Sequence, residues 1–227
     1  MCEHDKSKWS FLIPAAGSGS RLGLGQKLQL DLNGEPLWQR AIRRAAKLSQ
    51  EVIIAVPKEW VAYVASKAPN VVVIEGGVTR HDTIQKMLAA TTHEYVLIHD
   101  LARPFASTAL IKRVASAALE TDAAGCLLPT DAPLASSDGE LLIVVKEQHP
   151  ISMLQSPLAF KKKTLEQAYA FSNNNIEPDQ STLELVKRSG QKVKLILGER
   201  DNFKITSADD YRVANLIAAV WDAADAA

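Results

Sequence analysis

The segment between positions 11 and 27 has the residue types of a site for a negatively charged ligand. Its apolar run at positions 11–13 stops at Pro14 and opens into small residues and glycines, which are followed by Arg21 and Lys27. Small residues let backbone N–H groups approach an anion closely, and the two cations can neutralise its charge. The segment therefore predicts a site for a nucleoside triphosphate beside the end of a strand. The alternative is an ordinary flexible loop between a strand and a helix.

Two better-known phosphate motifs are excluded. In a P-loop the lysine is followed by a serine or threonine that binds magnesium, whereas Lys27 is followed by leucine. The dinucleotide fingerprint has the spacing Gly-x-Gly-x-x-Gly, but Gly17, Gly19 and Gly23 are spaced more widely. Residues 37–41 also lack an acidic side chain for a ribose hydroxyl. The pattern thus argues against a nicotinamide-dependent dehydrogenase.

A carboxylate and a guanidinium follow a second apolar run, at positions 95–98. Asp100 could work around a divalent cation, directly or through water. Arg103 could bind a phosphate in bidentate fashion or hold Asp100 in place. The alternative is a structural Asp–Arg pair that fixes a turn, and His99 is predicted to be structural.

Paired glycines at positions 76 and 77 follow another apolar run. Glycine permits close approach of the backbone to a ligand. Arg80 and Thr83 lie three positions apart at the start of a predicted helix, where both could face that ligand. The alternative is a loop that precedes a helix capped by Thr79.

Lys204 lies between Phe203 and Ile205, just before the last predicted helix. An unpaired ammonium in an apolar setting is costly, so this lysine is expected to have an anionic partner. The alternative is a lysine that buries its apolar stem while its charge reaches solvent.

Apolar runs and amphipathic segments alternate along the chain. Strands are predicted at residues 11–13, 52–56, 71–75, 95–99, 125–129 and 193–197. Helices are predicted at residues 36–48, 59–67, 80–91, 108–119, 164–170, 181–189 and 209–226. The alternation predicts an α/β fold with a mostly parallel, doubly wound (Rossmann-like) sheet, in a single domain over residues 1–227. Ligands of such sheets gather at the carboxyl ends of the strands, where the groups described above lie.

Residues 130–146 break this alternation. A turn at positions 136–139 precedes the apolar run 141–145, a pattern that predicts a hairpin. A long two-stranded arm is marginally stable alone and needs a surface to lie against. We therefore predict a β-arm at about residues 130–150 that packs on a second subunit and gives a homodimer. The alternative is an arm that packs on its own domain.

The 227-residue chain has 26 basic and 26 acidic residues, so its formal net charge is zero. Without a global field to attract nucleic acid or a membrane surface, we expect neither as a partner. No apolar segment has the length of a bilayer span, and the polar N-terminus does not resemble a signal peptide. Cys2 and Cys126 form neither a disulfide framework nor a metal-binding pattern, and Cys126 is predicted to be buried. These features predict a cytoplasmic protein.

The motifs taken together resemble one enzyme family. The chain is similar to the 2-C-methyl-D-erythritol 4-phosphate cytidylyltransferases of the non-mevalonate isoprenoid pathway in the order and spacing of PAAGSGSRLG with the following Lys27, GGVTRHDTI, HDLARPF, QSPLAF and NFKIT. The similarity extends over about residues 9–220, and the ordered set is more specific than any one segment.

The resemblance implies that CTP and 2-C-methyl-D-erythritol 4-phosphate react to give 4-diphosphocytidyl-2-C-methyl-D-erythritol and pyrophosphate, with Mg²⁺ or another divalent cation. The catalytic residues would be Arg21, Lys27 and Lys204. The nucleotide-binding residues would be Pro14, Ala15, Ala16, Gly17, Gly19, Gly77, Arg80, Thr83, Asp100 and Arg103. Asp100 would also be a candidate metal ligand. The family is a homodimer whose arm completes the acceptor site of the other subunit, which agrees with the predicted arm.

The acceptor side departs from the family pattern. The family's arm carries an Asp–Thr pair followed by a lysine, whereas Asp131 is followed here by alanine and Pro133. An arginine that contacts the acceptor phosphate is replaced by Gln148, with Lys146 nearby, and these two residues are the candidates for substrate positioning. Three interpretations stay open. They are a divergent methylerythritol enzyme, a cytidylyltransferase for another alcohol phosphate such as ribitol 5-phosphate, and a non-catalytic nucleotide-binding homologue.

Overall fold

A central sheet flanked by helices forms the molecule. The structure is a computed structural model that describes residues 6–17, 27–130, 136–137, 142–143, 151–172, 176–177 and 180–226. Its strands are β1 (Trp9–Pro14), β2 (Asp31–Leu32), β3 (Glu35–Pro36), β4 (Glu51–Val56), β5 (Val72–Glu75), β6 (Tyr95–Ile98), β7 (Ala123–Pro129), β8 (Ser136–Ser137), β9 (Leu142–Ile143), β10 (Ser152–Lys161) and β11 (Lys194–Leu197). Its α-helices are α1 (Leu37–Ala46), α2 (Val61–Lys67), α3 (Arg80–Ala90), α4 (Thr108–Thr121), α5 (Lys162–Ser172), α6 (Thr182–Arg188) and α7 (Ala208–Ala226). Among these helices, none has the length and apolarity needed to cross a bilayer.

The order of strands in the seven-stranded sheet is β11-β7-β10-β6-β1-β4-β5. β1 pairs parallel with β4 and β6, and the pairs β4–β5 and β7–β11 are also parallel. Within this sheet β10 runs antiparallel to both of its neighbours. The mostly parallel α/β fold predicted from the alternation is confirmed, and the carboxyl ends of β1, β5, β6 and β11 share one edge.

Two hydrophobic layers cover the two faces of the sheet, because successive residues of a strand point to opposite faces. In β1, Phe11 and Ile13 lie in the layer that includes residues of α1, α4 and α7, whereas Leu12 lies in the layer that includes residues of α3, α5 and α6. Central strands are therefore covered on both sides, and β6 is buried along its whole length. This explains why such strands are continuous apolar runs in the sequence.

β10 is the strand of this sheet that the sequence analysis did not predict. Its sequence SMLQSPLAFK has a polar pair and Pro157 in the middle, and proline disfavours a central strand because it lacks an N–H. The register with β7 shifts between Gln155 and Leu158, so the proline lies in an irregularity of the ladder. The polar pair at this irregularity is placed next to the loops of the candidate site.

Two short strands lie in the region predicted to form an arm. β8 pairs antiparallel with β9, with Ser136 opposite Ile143 and Ser137 opposite Leu142. Residues 131–135, 138–141 and 144–150, and with them Lys146 and Gln148, lie outside the described residues. The arm and its packing on a second subunit stay predictions.

Candidate active site

Loops at the shared edge of the sheet surround a cavity of about 290 Å³. Its described lining consists of Pro14, Ala15, Ala16, Gly17, Lys27, Gly77, Val78, Thr79, Arg80, Thr83, Asp100, Leu101, Ala102 and Lys204. The cavity thus brings together residues from all four segments singled out by sequence. Arg103 is not among the described residues that line it, and Gly19 and Arg21 lie outside the described part of the chain.

The first loop packs closely on the glycine pair that follows β5. A Cβ at Gly76 would lie 2.2 Å from the Cβ of Ala16. A Cβ at Gly77 would lie 2.3 Å from the Cβ of Asp82. Glycine is needed at both positions because the two loops and the start of α3 approach each other this closely. The close packing puts main chain of both loops at the cavity wall.

A capping box begins α3, the helix that carries Arg80. Thr79 Oγ1 accepts a hydrogen bond from Asp82 N (3.0 Å), and Asp82 Oδ2 accepts one from Thr79 N (2.9 Å). The Thr83 hydroxyl donates to the Thr79 carbonyl and accepts from Gly77 N. The helix cap proposed as an alternative for this segment is present, and it coexists with an arginine that lines the cavity.

Asp100 is shared by two cations from separate parts of the chain. Its Oδ1 lies 3.2 Å from Arg80 Nη2, and its Oδ2 lies 2.9 Å from Lys204 Nζ. Burial would raise the pKa of this carboxyl, but Arg80 and Lys204 outweigh burial and hold the pKa well below its usual range. Asp100 is therefore ionised at neutral pH, and it is the anionic partner expected for Lys204.

Lys27 reaches the cavity from a 3₁₀ turn, Lys27–Gln29. Its Nζ donates to the carbonyl of Ile205 (2.6 Å), and Ile205 N donates to the carbonyl of Ala102 (2.8 Å). These bonds join the loops that follow β1, β6 and β11. As a result, Lys27, Arg80 and Lys204 converge on one cavity from three separate positions of the chain.

Buried and half-buried polar side chains hold the loop that leads to Lys204. Arg103 donates to two main-chain carbonyls, from Nη1 to that of Asn202 (2.7 Å) and from Nη2 to that of Leu154 (3.3 Å). Gln155 Nε2 also donates to the Asn202 carbonyl (3.1 Å), and Asn202 Nδ2 donates to a carbonyl of β10 (2.8 Å). We call Arg103, Gln155 and Asn202 the loop brace, because their partners are largely main-chain atoms of this loop and of β10.

His99 and Ser156 fix the main chain that carries Asp100. His99 Nε2 lies 2.8 Å from the Arg103 carbonyl, which can only accept, so Nε2 carries the proton and Nδ1 accepts from the Ser156 hydroxyl (3.1 Å). Ser156 Oγ in turn accepts from Asp100 N (3.0 Å). Burial lowers the pKa of His99 to about 4, so the ring is neutral at pH 7 and keeps this arrangement.

Comparisons with known proteins agree with the geometry of this edge. The family model described as "IspD: 2-C-methyl-D-erythritol 4-phosphate cytidylyltransferase" matches residues 10–219. The chain belongs to this family. A relative with that name from Thermus thermophilus is 36% identical over 216 residues, which cover 94% of this chain and 99% of the relative. Another from Deinococcus radiodurans is 33% identical over 208 residues, which cover 91% of this chain and 88% of the relative.

The fold is also similar to that of solved members of the family. The crystal structure of 2-C-methyl-D-erythritol 4-phosphate cytidylyltransferase from Thermus thermophilus matches with a TM-score of 0.79 at 31% identity. The match covers 92% of this chain and 98% of that one. The family segments around Gly17, Gly77, Asp100 and Lys204 line the cavity, whereas QSPLAF is part of β10 and is not among the described lining residues.

Several residues that hold the cavity-lining side chains in place were not predicted from the sequence. Thr182, fully buried at the start of α6, accepts a hydrogen bond from Arg80 Nη1 (2.8 Å). No local pattern signals this contact, because it joins residues 102 positions apart. Gln155 and Ser156 had two signals, a polar pair inside an otherwise apolar run and their place in the family segment QSPLAF.

Proposed function

We propose that this chain is a cytidylyltransferase that joins CTP and 2-C-methyl-D-erythritol 4-phosphate. The products are 4-diphosphocytidyl-2-C-methyl-D-erythritol and pyrophosphate, in non-mevalonate isoprenoid biosynthesis. The observation that carries the proposal is the convergence of Lys27, Arg80 and Lys204 on one cavity in a member of this family. Positive charge at the carboxyl edge of a parallel sheet suits the triphosphate of a nucleotide.

The chemistry of the cavity suits a nucleophile that needs no base. The second pKa of a phosphate monoester is about 6, so its oxygen is already deprotonated near neutral pH. That oxygen attacks the α-phosphorus of CTP in line, the bond from the α-phosphorus to the bridging oxygen breaks, and its electron pair leaves with pyrophosphate. Asp100 is the one carboxylate among the described lining residues, and two ion pairs make it a poor base. Positioning and positive charge therefore supply the rate.

The proposed residue roles combine this geometry with the family resemblance, and for Arg21, Gly19, Gln148 and Lys146 they rest on the resemblance alone. Negative charge that develops in the reaction is stabilised by Lys27, Lys204 and Arg21. The nucleotide lies against Pro14, Ala15, Ala16, Gly17, Gly19, Gly77, Arg80 and Thr83. Gln148 and Lys146 are kept as candidates for positioning the acceptor. For Arg103, the carbonyl contacts favour a role in holding the Asn202 loop over a contact with phosphate.

Magnesium is proposed to enter with the triphosphate. In the part of the chain that the structure describes, no three His, Cys, Asp or Glu side chains come together as a metal-binding group. Mg²⁺ in nucleotide enzymes commonly takes one or two carboxylates together with substrate phosphates. Asp100 is the carboxylate proposed for this role, and a single carboxylate suits a cation that the phosphates largely hold. Bound there, the cation would neutralise phosphate charge.

We also propose a homodimer formed through the predicted arm. Apolar side chains are exposed beside the arm region, at the start of β10 and on the edge strand β11, namely Met153, Leu154, Leu195 and Leu197. Exposed apolar side chains at a sheet edge suit burial by a second subunit. Deletion of residues 136–144 is expected to give monomers by light scattering, and an unchanged dimer would remove the arm from this role.

The proposed location is the cytoplasm. Cys126 is a buried free thiol, and thiols stay reduced in that compartment.

The decisive experiment is a panel of alcohol phosphates offered with CTP and Mg²⁺, scored by pyrophosphate release. We expect 2-C-methyl-D-erythritol 4-phosphate to give the highest kcat/KM. A higher value for ribitol 5-phosphate would change the assigned acceptor. Absence of release with every acceptor would leave a nucleotide-binding protein without transferase activity.

A further inference from the structure

The Asp100 carboxylate pairs with two of the cations that line the cavity. Its two oxygens bind different partners, Arg80 at 3.2 Å and Lys204 at 2.9 Å. The side chains of Asp100, Arg80 and Lys204 are 15%, 35% and 37% exposed. We call these three residues the Asp100 cluster. Because its members are partly exposed at the cavity wall, an incoming anion can reach both cations.

Neighbouring carboxylates are bound to the main chain. Asp82 accepts a hydrogen bond from the main chain at the start of α3, and Asp210 accepts two from the main chain before α7. Neither carboxylate can leave its position without uncapping a helix. Asp100 is thus the carboxylate that these two cations share.

The two cations are held differently. Arg80 has a second anchor, because its Nη1 donates to the buried hydroxyl of Thr182 (2.8 Å). Lys204 has a flexible stem whose ammonium lies on Asp100. An entering phosphate can therefore take over one Nη of a fixed Arg80 and turn Lys204 away from the carboxylate.

We infer that Asp100 is an internal counterion that a polyphosphate displaces from Arg80 and Lys204, and that this displacement makes the site select polyphosphates carrying a divalent cation. The inference rests on the proposed function, since it concerns the same triphosphate site. A metal-free polyphosphate takes both cations and leaves its own charge beside a carboxylate that has lost both ion pairs and keeps only the charge of Arg103 nearby. The negative charges of the phosphate and of Asp100 then repel each other. A polyphosphate that carries a divalent cation has less negative charge, and its cation gives the released carboxylate a new partner.

The test is calorimetric titration of inorganic pyrophosphate into the full chain, once with EDTA and once with Mg²⁺. In Asp100→Asn the cations stay and the repelling charge is gone, so metal-free binding should tighten at least about 10-fold. The gain in affinity on adding Mg²⁺ should shrink in the same variant. The matched control is Glu75→Gln, which removes the same charge from an exposed side chain at the end of β5 and should change either affinity by less than about 2-fold. Metal-free binding that is no tighter in Asp100→Asn, or tightening of equal size in Glu75→Gln, overturns the inference.

A second variant, Lys204→Gln, tests the inference in the opposite direction and applies even if Asp100→Asn does not fold. With one cation removed, Asp100 is less compensated and repels metal-free pyrophosphate more strongly, so the gain on adding Mg²⁺ should grow. A gain that is unchanged or smaller contradicts the inference.

These titrations contain neither CTP nor an acceptor, which separates the two proposals. If pyrophosphate binds as expected but no alcohol phosphate is turned over, the counterion role of Asp100 is supported and the proposed function is contradicted. If the protein turns over an alcohol phosphate but Asp100→Asn does not bind metal-free pyrophosphate more tightly, only the counterion role is contradicted.

Discussion

The Asp100 cluster and the loop brace lie at the same edge of the sheet and each contains an arginine, yet they differ in their partners. In the cluster, Asp100 and Lys204 pair side chain to side chain at the cavity wall. In the brace, Gln155 and Asn202 are buried and bind main-chain carbonyls. A side-chain partner can be exchanged for a ligand, whereas a main-chain partner is lost only when the chain moves. The kind of partner, more than the residue type, therefore separates ligand-binding groups from supporting ones.

The two regions are nevertheless connected along the chain. Arg103 of the brace lies three residues after Asp100, and Asn202 lies two residues before Lys204. A hydrogen bond from Ile205 N to the Ala102 carbonyl joins these two stretches of main chain. The brace thus fixes the main chain from which the cluster extends. Changes in the cluster should alter activity with little effect on folding, and changes in the brace should alter both.

The largest expected effect on turnover comes from removing a cation of the cavity. Lys204→Ala should lower kcat by about 10²- to 10³-fold, because a positioned positive charge is lost from the reaction centre. Its free energy of unfolding should change by less than about 1 kcal/mol, since the ion pair is partly exposed. Lys27→Ala is expected to behave likewise. Pyrophosphate release and urea denaturation measure the two quantities.

The matched control for these variants is Lys112→Ala, which removes an exposed lysine from α4. It should leave both quantities unchanged. Turnover retained in Lys204→Ala would show that the cluster is structural and would remove the contrast with the brace.

The brace should show the opposite balance. Gln155→Leu removes the acceptor of Glu199 N and the Gln155 donor of the Glu199 carbonyl, whereas the Asn202 carbonyl keeps Arg103 as a donor. Each buried polar group left unpaired costs about 1–3 kcal/mol, so the free energy of unfolding should fall by roughly 3 kcal/mol. Turnover should fall too, because the loop to Lys204 loosens. Gln167→Leu on the exposed side of α5 is the control and should not lower stability. A Gln155→Leu variant as stable as the unchanged protein would contradict the assigned brace.

Acid should destabilise the folded protein through His99, which binds the main chain between the cluster and the brace. Its pKa is lowered from 6.5 to about 4 by burial, so between these values the unfolded chain binds a proton that the folded chain does not. The contribution of His99 to the free energy of unfolding is therefore complete above pH 6.5 and is lost as the pH falls toward 4. The loss between pH 8 and pH 5 should be about 2 kcal/mol. Denaturant unfolding at both values measures it, and His99→Gln should reduce this loss. An equal loss in His99→Gln would assign the effect to another group, such as His81, whose pKa burial also lowers.

Much of the fold and of the cavity wall could be predicted from sequence. Continuous apolar runs identify central strands such as β6, and residues that directly follow them must lie at one edge of a parallel sheet. Asp100 and the glycines after β5 were found in this way. Position along a strand thus predicts which residues approach the site.

Orientation and long-range support could not be predicted in the same way. Arg103 lies in the loop that follows β6, but its guanidinium turns to the carbonyls of Leu154 and Asn202. These partners come from β10, hidden by Pro157, and from a loop about 100 positions away. Hydrogen bonds between residues so distant in sequence have no periodicity to reveal them. The buried partner of Arg80 was missed for the same reason.

The smallest expected effect comes from that partner. Thr182→Val removes the hydroxyl that accepts from Arg80 Nη1 while nearly keeping the side-chain volume. Losing one hydrogen bond to a charged group costs about 1.5 kcal/mol, so KM for CTP should rise about 10-fold, with a smaller change in kcat. Thr182→Ser keeps the hydroxyl and should restore KM. Thr164→Val changes another buried threonine, on α5, and should leave KM unaffected. If Thr182→Val lowered only the melting temperature, as the loss of a purely structural threonine would, Arg80 would owe its position to Asp100 alone and Thr182 would not be its anchor.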